Sequence, residues 1–315
     1  MTTNFFTHAR LAHGYWRAHE WGLDDQGFLR MIQQALALGI RVFDHAACYG
    51  GFTTEEMFGR GLALEPSLRE QMCIVSKCGI LFPNKALPWM KAKHYDNSRK
   101  HIVWSAERSV RSLQCGYLDL LLIHRPSPCA NPEEIAGAFD ELRRRGLVRR
   151  FGVSNFPVPK FRMLQSYLAE PLLTNQVEAS PLHLNAFDDG TIDLALRMRI
   201  RPMVWSPLAG GWLTGKYSRG DTPAGATRLG ENPQRGIEAY DRIARDERTW
   251  EILDALRQVA ADNDTTPANV ALAWVIAQPG VTTAILGART VEQLRENLAA
   301  ASVTLAPEQL AKLTS

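Results

Sequence analysis

Four side chains in the first half of the chain have the types and spacing needed for general acid catalysis. Asp44 lies near the end of the apolar segment RVFDH and Tyr49 follows five residues later, while Lys77 ends MCIVSK and His124 ends LDLLLIH. A free tyrosine has a pKa of about 10, and an ammonium group beside it lowers that pKa toward neutrality. We therefore predict that Lys77, held by Asp44, tunes Tyr49 as a proton donor and that His124 hydrogen-bonds a carbonyl oxygen.

These side chains lie at or just beyond the ends of short apolar segments, which recur along the whole chain and alternate with helical segments. The predicted strands are residues 10–14, 41–45, 72–77, 118–124, 151–155, 174–179, 202–206 and 283–287. Nearly continuous apolar strands are typical of a parallel sheet buried on both faces. Asn131-Pro132 and Thr266-Pro267 are typical helix starts, and Gly39 is a typical helix end. Eight strands alternating with helices favour an α/β fold of the closed (β/α)8 TIM barrel type over an open doubly wound sheet.

The domain organisation follows from the absence of any linker or low-complexity segment. We predict a single domain over residues 1–315, with the active site at the C-terminal ends of the strands, where barrel enzymes build their sites. Two connections, residues 79–97 and 216–246, are long for a compact domain and are expected to be functional loops.

The composition limits the classes of protein to be considered. The chain has 315 residues, 45% of them hydrophobic and 22% charged, with a net charge of +3. This is typical of a soluble globular protein and argues against nucleic acid or a membrane as partner. An odd number of cysteines, five, without a CxxC pair predicts free thiols in a reducing, cytoplasmic setting. We expect no metal site, because Lys77 would repel a cation between Asp44 and His124.

Seven ordered motifs, spread over most of the chain, resemble the aldo-keto reductase family. They are RVFDHAACYGGFTTEEMFGRGL, IVSKCG, LDLLLIHRP, GVSNF, TNQVEASPL, VWSPLAGGWLTGKY and AILGARTVEQLRENL. With tryptophan as its aromatic residue, the motif VWSPLA resembles that of the branch of the family that contains bacterial oxidoreductases and potassium-channel β subunits. The resemblance implies an NADPH-dependent oxidoreductase that reduces aldehydes or ketones to alcohols by hydride transfer, with Tyr49 as proton donor.

The same resemblance implies the residues that hold the cofactor. Ser154, Asn155 and Gln176 would bind the nicotinamide carboxamide, Trp205 would stack on its ring, and the backbone from Ser206 to Gly211 would surround the diphosphate. The full implied set is Trp16, Asp44, Ser154, Asn155, Gln176, Trp205, Ser206, Pro207, Leu208, Ala209, Gly210, Gly211, Lys216, Gly287, Arg289, Gln293, Glu296 and Asn297. The implied substrate pocket comprises Trp16, Tyr49, Trp89 and His124.

The choice between NADPH and NADH depends on the last of these motifs. Arg289 and Lys216 are cations suited to a 2′-phosphate, which favours NADPH. Many members of the family have a longer-reaching cation where this chain has Gln293, and a hydroxyl residue where it has Ala288, so NADH remains an alternative. Gln293 also fits a capping box that begins at Thr290.

Two other functions deserve comparison with a small-molecule carbonyl reductase. The first is a regulatory or binding subunit that senses nicotinamide redox state and turns over slowly, as the channel-subunit resemblance allows. The second is a nucleotide triphosphatase, because residues 210–216 fit the start of a GxxxxGK motif. Tyr217 stands where that motif needs Ser or Thr for Mg²⁺, which argues against it. The sequence leaves the identity of the carbonyl substrate and the oligomeric state open.

Overall fold

In the computed structural model of this chain, residues 9–220 and 243–314 are described. Eight parallel strands of this part close into a barrel, as the sequence predicts, in the order β1-β10-β9-β8-β7-β6-β3-β2. The barrel strands are β1 (Leu11–Gly14), β2 (Val42–Asp44), β3 (Cys73–Cys78), β6 (Leu118–Ile123), β7 (Val148–Ser154), β8 (Asn175–Glu178), β9 (Met203–Trp205) and β10 (Thr283–Leu286).

Helices cover the outside of the barrel. They are α1 (Asp25–Ala37), α2 (Thr54–Ala63), α3 (Arg99–Ser112), α4 (Pro132–Arg144), α5 (Val158–Gln165), α6 (Asn185–Asp188), α7 (Thr191–Met198), α8 (Glu247–Asp262), α9 (Pro267–Ala277), α10 (Val291–Leu298) and α11 (Pro307–Lys312). Short 3₁₀ turns span Ala18–Glu20, Tyr49–Gly51, Pro66–Gln71, Ala209–Thr214 and Ala299–Ser302.

The helix starts that the sequence predicts are present. The Asn131 side chain accepts a hydrogen bond from the backbone of Glu133 at 2.9 Å, and the Thr266 side chain accepts one from Asn269 at 3.2 Å. Each satisfies one of the amides that a helix leaves unpaired at its first turn. Gly39, with φ +89°, follows α1 in the left-handed conformation common at helix ends.

The core has two layers because side chains alternate along each strand. Ile74, Leu121 and Val153 face outward against the helices, whereas Val75 and Leu122 fill the barrel interior. A residue two positions after an interior residue also faces inward. This alternation determines which polar side chains reach the mouth of the barrel.

The connection of residues 79–97 is described in full, whereas that of residues 216–246 is described only in part. Residues 79–97 contain a small antiparallel pair, β4 (Ile80–Leu81) and β5 (His94–Tyr95), that pairs Ile80 with Tyr95. In the second connection, residues 221–242 lie outside the described residues. Across the described ranges, no helix is both long enough and apolar enough to cross a membrane.

Candidate active site

Strand alternation brings three of the catalytic candidates to one place. Val42, Val75 and Leu122 face the barrel interior, and Asp44, Lys77 and His124 each follow one of them by two positions. Strands β2, β3 and β6 are neighbours in parallel register, so their C-terminal ends meet at one rim. The spacing that the sequence shows therefore places all three side chains at the mouth.

Lys77 is the centre of the arrangement. Its side chain is fully buried, and its Nζ lies 2.6 Å from Asp44 Oδ2, 2.7 Å from the His45 carbonyl oxygen and 3.1 Å from Tyr49 Oη. An ammonium group has three hydrogens to donate, and these three acceptors use all of them. A buried charge is tolerated when it is paired and hydrogen-bonded in this way. Lys77 is thus held as a cation in contact with the tyrosine oxygen.

The phenol of Tyr49 occupies the position that a proton donor needs. It comes from the 3₁₀ turn Tyr49–Gly51 that follows β2, so it approaches the mouth from the loop. Its oxygen accepts a hydrogen bond from Lys77, and a phenol that accepts in this way can act as a proton donor to a carbonyl oxygen. The cation in turn stabilises the phenolate that remains after proton transfer.

Asp44 is held from both sides. Its Oδ2 accepts from Lys77, and its Oδ1 accepts from Gln176 Nε2 at 2.8 Å. The resemblance implies that Gln176 binds the nicotinamide carboxamide. The amide nitrogen of Gln176 donates one hydrogen to Asp44 and lies 4.0 Å from Met203 Sδ, so its carbonyl oxygen is the better placed atom for that role.

His124 is neutral at physiological pH. Burial, followed by the positive charges of Lys77 and Arg125, holds the pKa of the imidazole well below its usual range. The ring lies edge-on to Tyr49, with 5.9 Å between ring centroids and 76° between planes. A neutral imidazole beside a phenol can donate one N–H to the same carbonyl oxygen.

Cys48 contacts His124 and was not among the residues chosen from the sequence. Its Sγ lies 3.6 Å from His124 Nδ1, and burial raises the pKa of the thiol to about 12. The thiol is therefore protonated and can donate to Nδ1, the arrangement that leaves the imidazole hydrogen on Nε2, where it can face a substrate. The only sequence signal is its position directly before Tyr49, because a single cysteine carries no motif.

Asn155 joins the catalytic rim to the predicted nicotinamide side. Its Nδ2 donates to Ser154 Oγ at 2.7 Å and to the His124 carbonyl at 3.3 Å, and its Oδ1 accepts from Trp205 Nε1 at 3.2 Å. Ser154 Oγ donates to the Gln176 carbonyl at 2.9 Å. The structure thus brings all four predicted nicotinamide residues into one hydrogen-bonded group beside His124.

The segment from Ser206 to Gly211 has the backbone expected of an anion site. Ser206, Ala209, Gly210 and Gly211 all have positive φ, between 44° and 95°. Turns with residues of positive φ often present backbone N–H groups to phosphate oxygens. Here the N–H groups of Ala209 and Gly211 donate to the carbonyls of Ser206 and Leu208 at 2.8 Å, so an anion would be bound by the other N–H groups of the segment. A Cβ added to Gly211 would lie 3.5 Å from Lys216 Nζ, so this predicted cation folds over the turn.

The segment from Gly287 to Asn297 follows β10 at the same end of the barrel. Space is open around Gly287, and the Arg289 side chain is exposed. Gln293 Oε1 accepts from the Arg289 backbone at 2.9 Å, and Thr290 Oγ1 accepts from the Gln293 backbone at 3.2 Å. Gln293 therefore takes part in the helix start, which leaves its predicted cofactor contact as a second role. Glu296 is exposed and Asn297 is half-buried on α10.

The predicted substrate pocket includes two of the most exposed aromatic residues in the described chain. Trp16 is 45% exposed and Trp89 is 60% exposed. Residues of the 79–97 loop, among them Leu81 and Leu87, pack with Cys48 and Tyr49, so this loop lies beside the predicted proton donor. The described residues contain no group of three or more His, Cys, Asp or Glu side chains that could hold a metal ion.

Comparisons with known proteins agree with this geometry. The profile of the Aldo/keto reductase family matches residues 10–315. Oxidoreductase YdhF of Escherichia coli is 37% identical over 96% of this chain and 91% of its own length, and a 6-dehydroglucose reductase of Agrobacterium fabrum is 35% identical over 94% and 90%. A putative voltage-gated potassium channel subunit beta of Schizosaccharomyces pombe is 30% identical over 93% and 84%.

A solved structure extends the likeness to three dimensions. The thermostable aldo-keto reductase Tm1743, crystallised with the inhibitor epalrestat, superposes with a TM-score of 0.72 at 26% identity and covers 96% of this chain and 93% of its own. The sequence and the architecture therefore point to the same group of proteins.

Proposed function

This chain belongs to the aldo-keto reductase family, and from that premise we propose that it reduces aldehydes or ketones to alcohols with NADPH, using Tyr49 as the proton donor. The observation that carries the proposal is the position of Lys77 Nζ, which lies 2.6 Å from Asp44 and 3.1 Å from Tyr49 Oη. A purely structural ion pair has no need of a phenol in contact with its cation.

The residues of this chain divide the work of carbonyl reduction. Reduced nicotinamide, when bound, supplies the hydride. Tyr49 and His124 hydrogen-bond the carbonyl oxygen and stabilise the charge that develops there, and Tyr49 transfers its proton to that oxygen. Lys77 stabilises the phenolate left on Tyr49, while Asp44 keeps Lys77 charged and in place.

The residues that suit a nicotinamide dinucleotide lie at and beyond the C-terminal ends of β9 and β10. The positive-φ turn from Ser206 to Gly211 suits a diphosphate, and Trp205 presents an aromatic face beside His124 and Asn155. Lys216 and Arg289 are exposed cations at the ends of β9 and β10. Since a 2′-phosphate needs such cations, NADPH is the proposed cofactor over NADH.

The name of one relative supports the direction of the reaction. The Agrobacterium fabrum protein is named a 6-dehydroglucose reductase, so a relative of similar length reduces a carbonyl compound. Small-molecule carbonyl compounds are the proposed substrates, and a cytoplasmic location is the proposed setting.

A second candidate function is a redox-sensing subunit, supported by the likeness to the channel β subunit. In that case the same site would bind nicotinamide but release it very slowly. Pre-steady-state kinetics would separate the two functions, because a sensor shows one fast turnover followed by a steady state limited by cofactor release.

The experiment that tests the proposal is a fluorescence titration with NADPH and with NADH, followed by addition of an activated aromatic aldehyde. We expect NADPH to bind more tightly and to be oxidised when the aldehyde is added. Binding without oxidation would favour the redox sensor, and no binding of either nucleotide would refute the proposal.

A further inference from the structure

Arg125 lies in the mouth of the barrel but takes no part in the catalytic network. It directly follows His124, its side chain is half-buried, and its guanidinium carbon is 5.8 Å from the ring centroid of Trp205. Its positive charge is close enough to depress the pKa of the His124 imidazole. The guanidinium is thus placed between the residue that orients the carbonyl and the residue proposed to stack on nicotinamide.

No acidic side chain in residues 9–220 or 243–314 forms an ion pair with Arg125. Arg69, a more deeply buried arginine, shows the usual arrangement, since it lies 2.8 Å from the carboxylate of Asp119. Withdrawing a guanidinium from water without an anion is unfavourable, so Arg125 is left with unused capacity to bind one.

Among the described residues, Lys93 is a second cation without an ion-pair partner, and its loop packs beside Cys48 and Tyr49. The charge of Lys93, in the 79–97 loop, acts on Cys48 and lowers the pKa of that thiol against the larger effect of burial. The loop carries Lys85, Lys91 and Lys93 but only one carboxylate, Asp96, whose Oδ1 accepts from the Ser98 backbone. This side of the mouth therefore has an excess of positive charge.

The strand order separates these cations from those proposed for the cofactor. In the closed barrel β6, which carries Arg125, lies diametrically opposite β10, which leads to Arg289. Likewise β3, which leads to Lys93, lies opposite β9, which leads to Lys216. Arg125 and Lys93 therefore follow strands other than those that lead to Lys216 and Arg289, and the Arg125 guanidinium reaches to 5.8 Å from the Trp205 ring.

We propose that Arg125, assisted by Lys93, is an anion subsite of the substrate pocket, and that the preferred substrates are aldehydes or ketones that carry a carboxylate or a similar anionic group. This inference rests on the proposed carbonyl reductase function. A guanidinium can bind a carboxylate through two parallel hydrogen bonds, and the surrounding positive charge attracts anions to the mouth. The anion held by Arg125 sets the position of the carbonyl relative to Tyr49 and His124.

The test compares para-formylbenzoate with its neutral methyl ester, both reduced with NADPH. We expect kcat/KM for the carboxylate to exceed that for the ester by about tenfold or more, and the ratio to shrink as ionic strength approaches about 1 M. In Arg125→Gln the ratio should fall to near one, mainly through a higher KM for the carboxylate. Arg125→Lys should keep part of the preference, because it retains the charge but not the two-pronged geometry.

The matched control is Arg144→Gln, which removes an exposed arginine at the end of α4 without touching the mouth. It should leave the ratio of kcat/KM for the two substrates unchanged.

Equal kcat/KM for both substrates in the unmodified protein, or a ratio unaffected by Arg125→Gln, would overturn the inference. A rise in the Kd for NADPH in Arg125→Gln, with the substrate ratio kept, would instead assign Arg125 to the cofactor and also overturn it. If neither aldehyde is reduced, the proposed function itself fails, which the neutral ester reveals independently of any anion preference.

Discussion

The catalytic side of the barrel mouth, at the ends of β2, β3 and β6, is held together differently from the proposed cofactor side, at the ends of β9 and β10. On the catalytic side, buried side chains hold one another, and Lys77 uses every hydrogen of its ammonium group. On the cofactor side, the backbone from Ser206 to Gly211 forms the proposed site, and Lys216 and Arg289 are exposed to solvent.

This difference indicates whether the side chains of each side are fixed by the protein itself or only by a bound ligand. A saturated buried network is in place before any ligand arrives, so the proposed proton donor, Tyr49, does not have to be reorganised during reaction. Exposed cations gain fixed positions only when a ligand pairs with them, and the entropy lost then reduces the binding free energy. Substitutions on the catalytic side should therefore affect turnover, and those on the cofactor side should affect binding.

The largest effect is expected from Lys77→Met, which removes the centre of the network. We expect kcat to fall by roughly 10²–10⁴-fold, because Tyr49 loses the cation that stabilises its phenolate. The free energy of unfolding should also fall by about 3–5 kcal/mol, because Asp44 is left buried with an unpaired charge. Chemical denaturation and steady-state kinetics measure the two losses.

The double variant Asp44→Asn, Lys77→Met separates stability from catalysis. Removing the orphaned charge should restore much of the stability while the activity stays low. Full activity in either variant would contradict the assigned role of Lys77.

On the cofactor side, Arg289→Ala should weaken NADPH binding by roughly ten- to a hundredfold and leave NADH binding nearly unchanged, since only NADPH carries the 2′-phosphate. The control is Arg295→Ala, an exposed arginine on α10. Fluorescence titration of both nucleotides measures the change. Equal weakening of both would remove Arg289 from the 2′-phosphate.

The catalytic side should also make the protein less stable at low pH, because it lies beside buried neutral histidines. Burial lowers the pKa of His13 to about 4, and burial together with the charges of Lys77 and His13 lowers that of His45 well below its usual value. As pH falls below about 6.5, His13 and His45 bind protons in the unfolded chain but stay neutral in the folded chain. The free energy of unfolding therefore decreases.

Replacing His45 should reduce this acid sensitivity. Both ring nitrogens of His45 are buried without a hydrogen-bond partner among the described residues, so His45→Leu breaks no hydrogen bond of the ring. Between pH 7 and pH 5 the variant should lose about 2 kcal/mol less stability than the unmodified protein. His94→Leu, at an exposed position, serves as the control. Parallel curves for His45→Leu and the unmodified protein would show that His45 does not contribute.

The smallest effect is expected from Cys48→Ala, which tests whether the Cys48 thiol fixes the tautomer of His124. Losing the thiol beside His124 Nδ1 should lower kcat/KM by about fivefold and shift the imidazole toward the other tautomer. Nitrogen-15 chemical shifts of His124 report the tautomer directly, and Cys48→Ser should preserve it. Cys115→Ala, at another buried cysteine, is the control. An unchanged tautomer in Cys48→Ala would make the contact one of packing only.

The sequence predicted the barrel because buried strands recur along the chain, and the alternation within each strand predicted that the catalytic candidates meet at one rim. The catalytic roles of these residues stay predictions. All eight predicted strands are present, and inward-facing positions two apart carry Asp44, Lys77 and His124 to one rim. The contact of Cys48 with His124 and the bond from Gln176 to Asp44 leave no such pattern in the sequence. They join strands that are distant in the chain, and only the closed barrel determines which side chains meet. Arg125 was passed over for the same reason, since only the three-dimensional structure shows that no described carboxylate pairs with it.

The most direct test of the central claim is Tyr49→Phe, which removes one oxygen from the catalytic side and nothing from the cofactor side. Turnover with an activated aldehyde and the Kd for NADPH are measured on the same preparation. We predict that kcat falls by roughly 10³-fold while the Kd stays within about twofold of the unmodified value. Full turnover, or an equal loss of turnover and binding, would contradict the assignment of Tyr49 as proton donor.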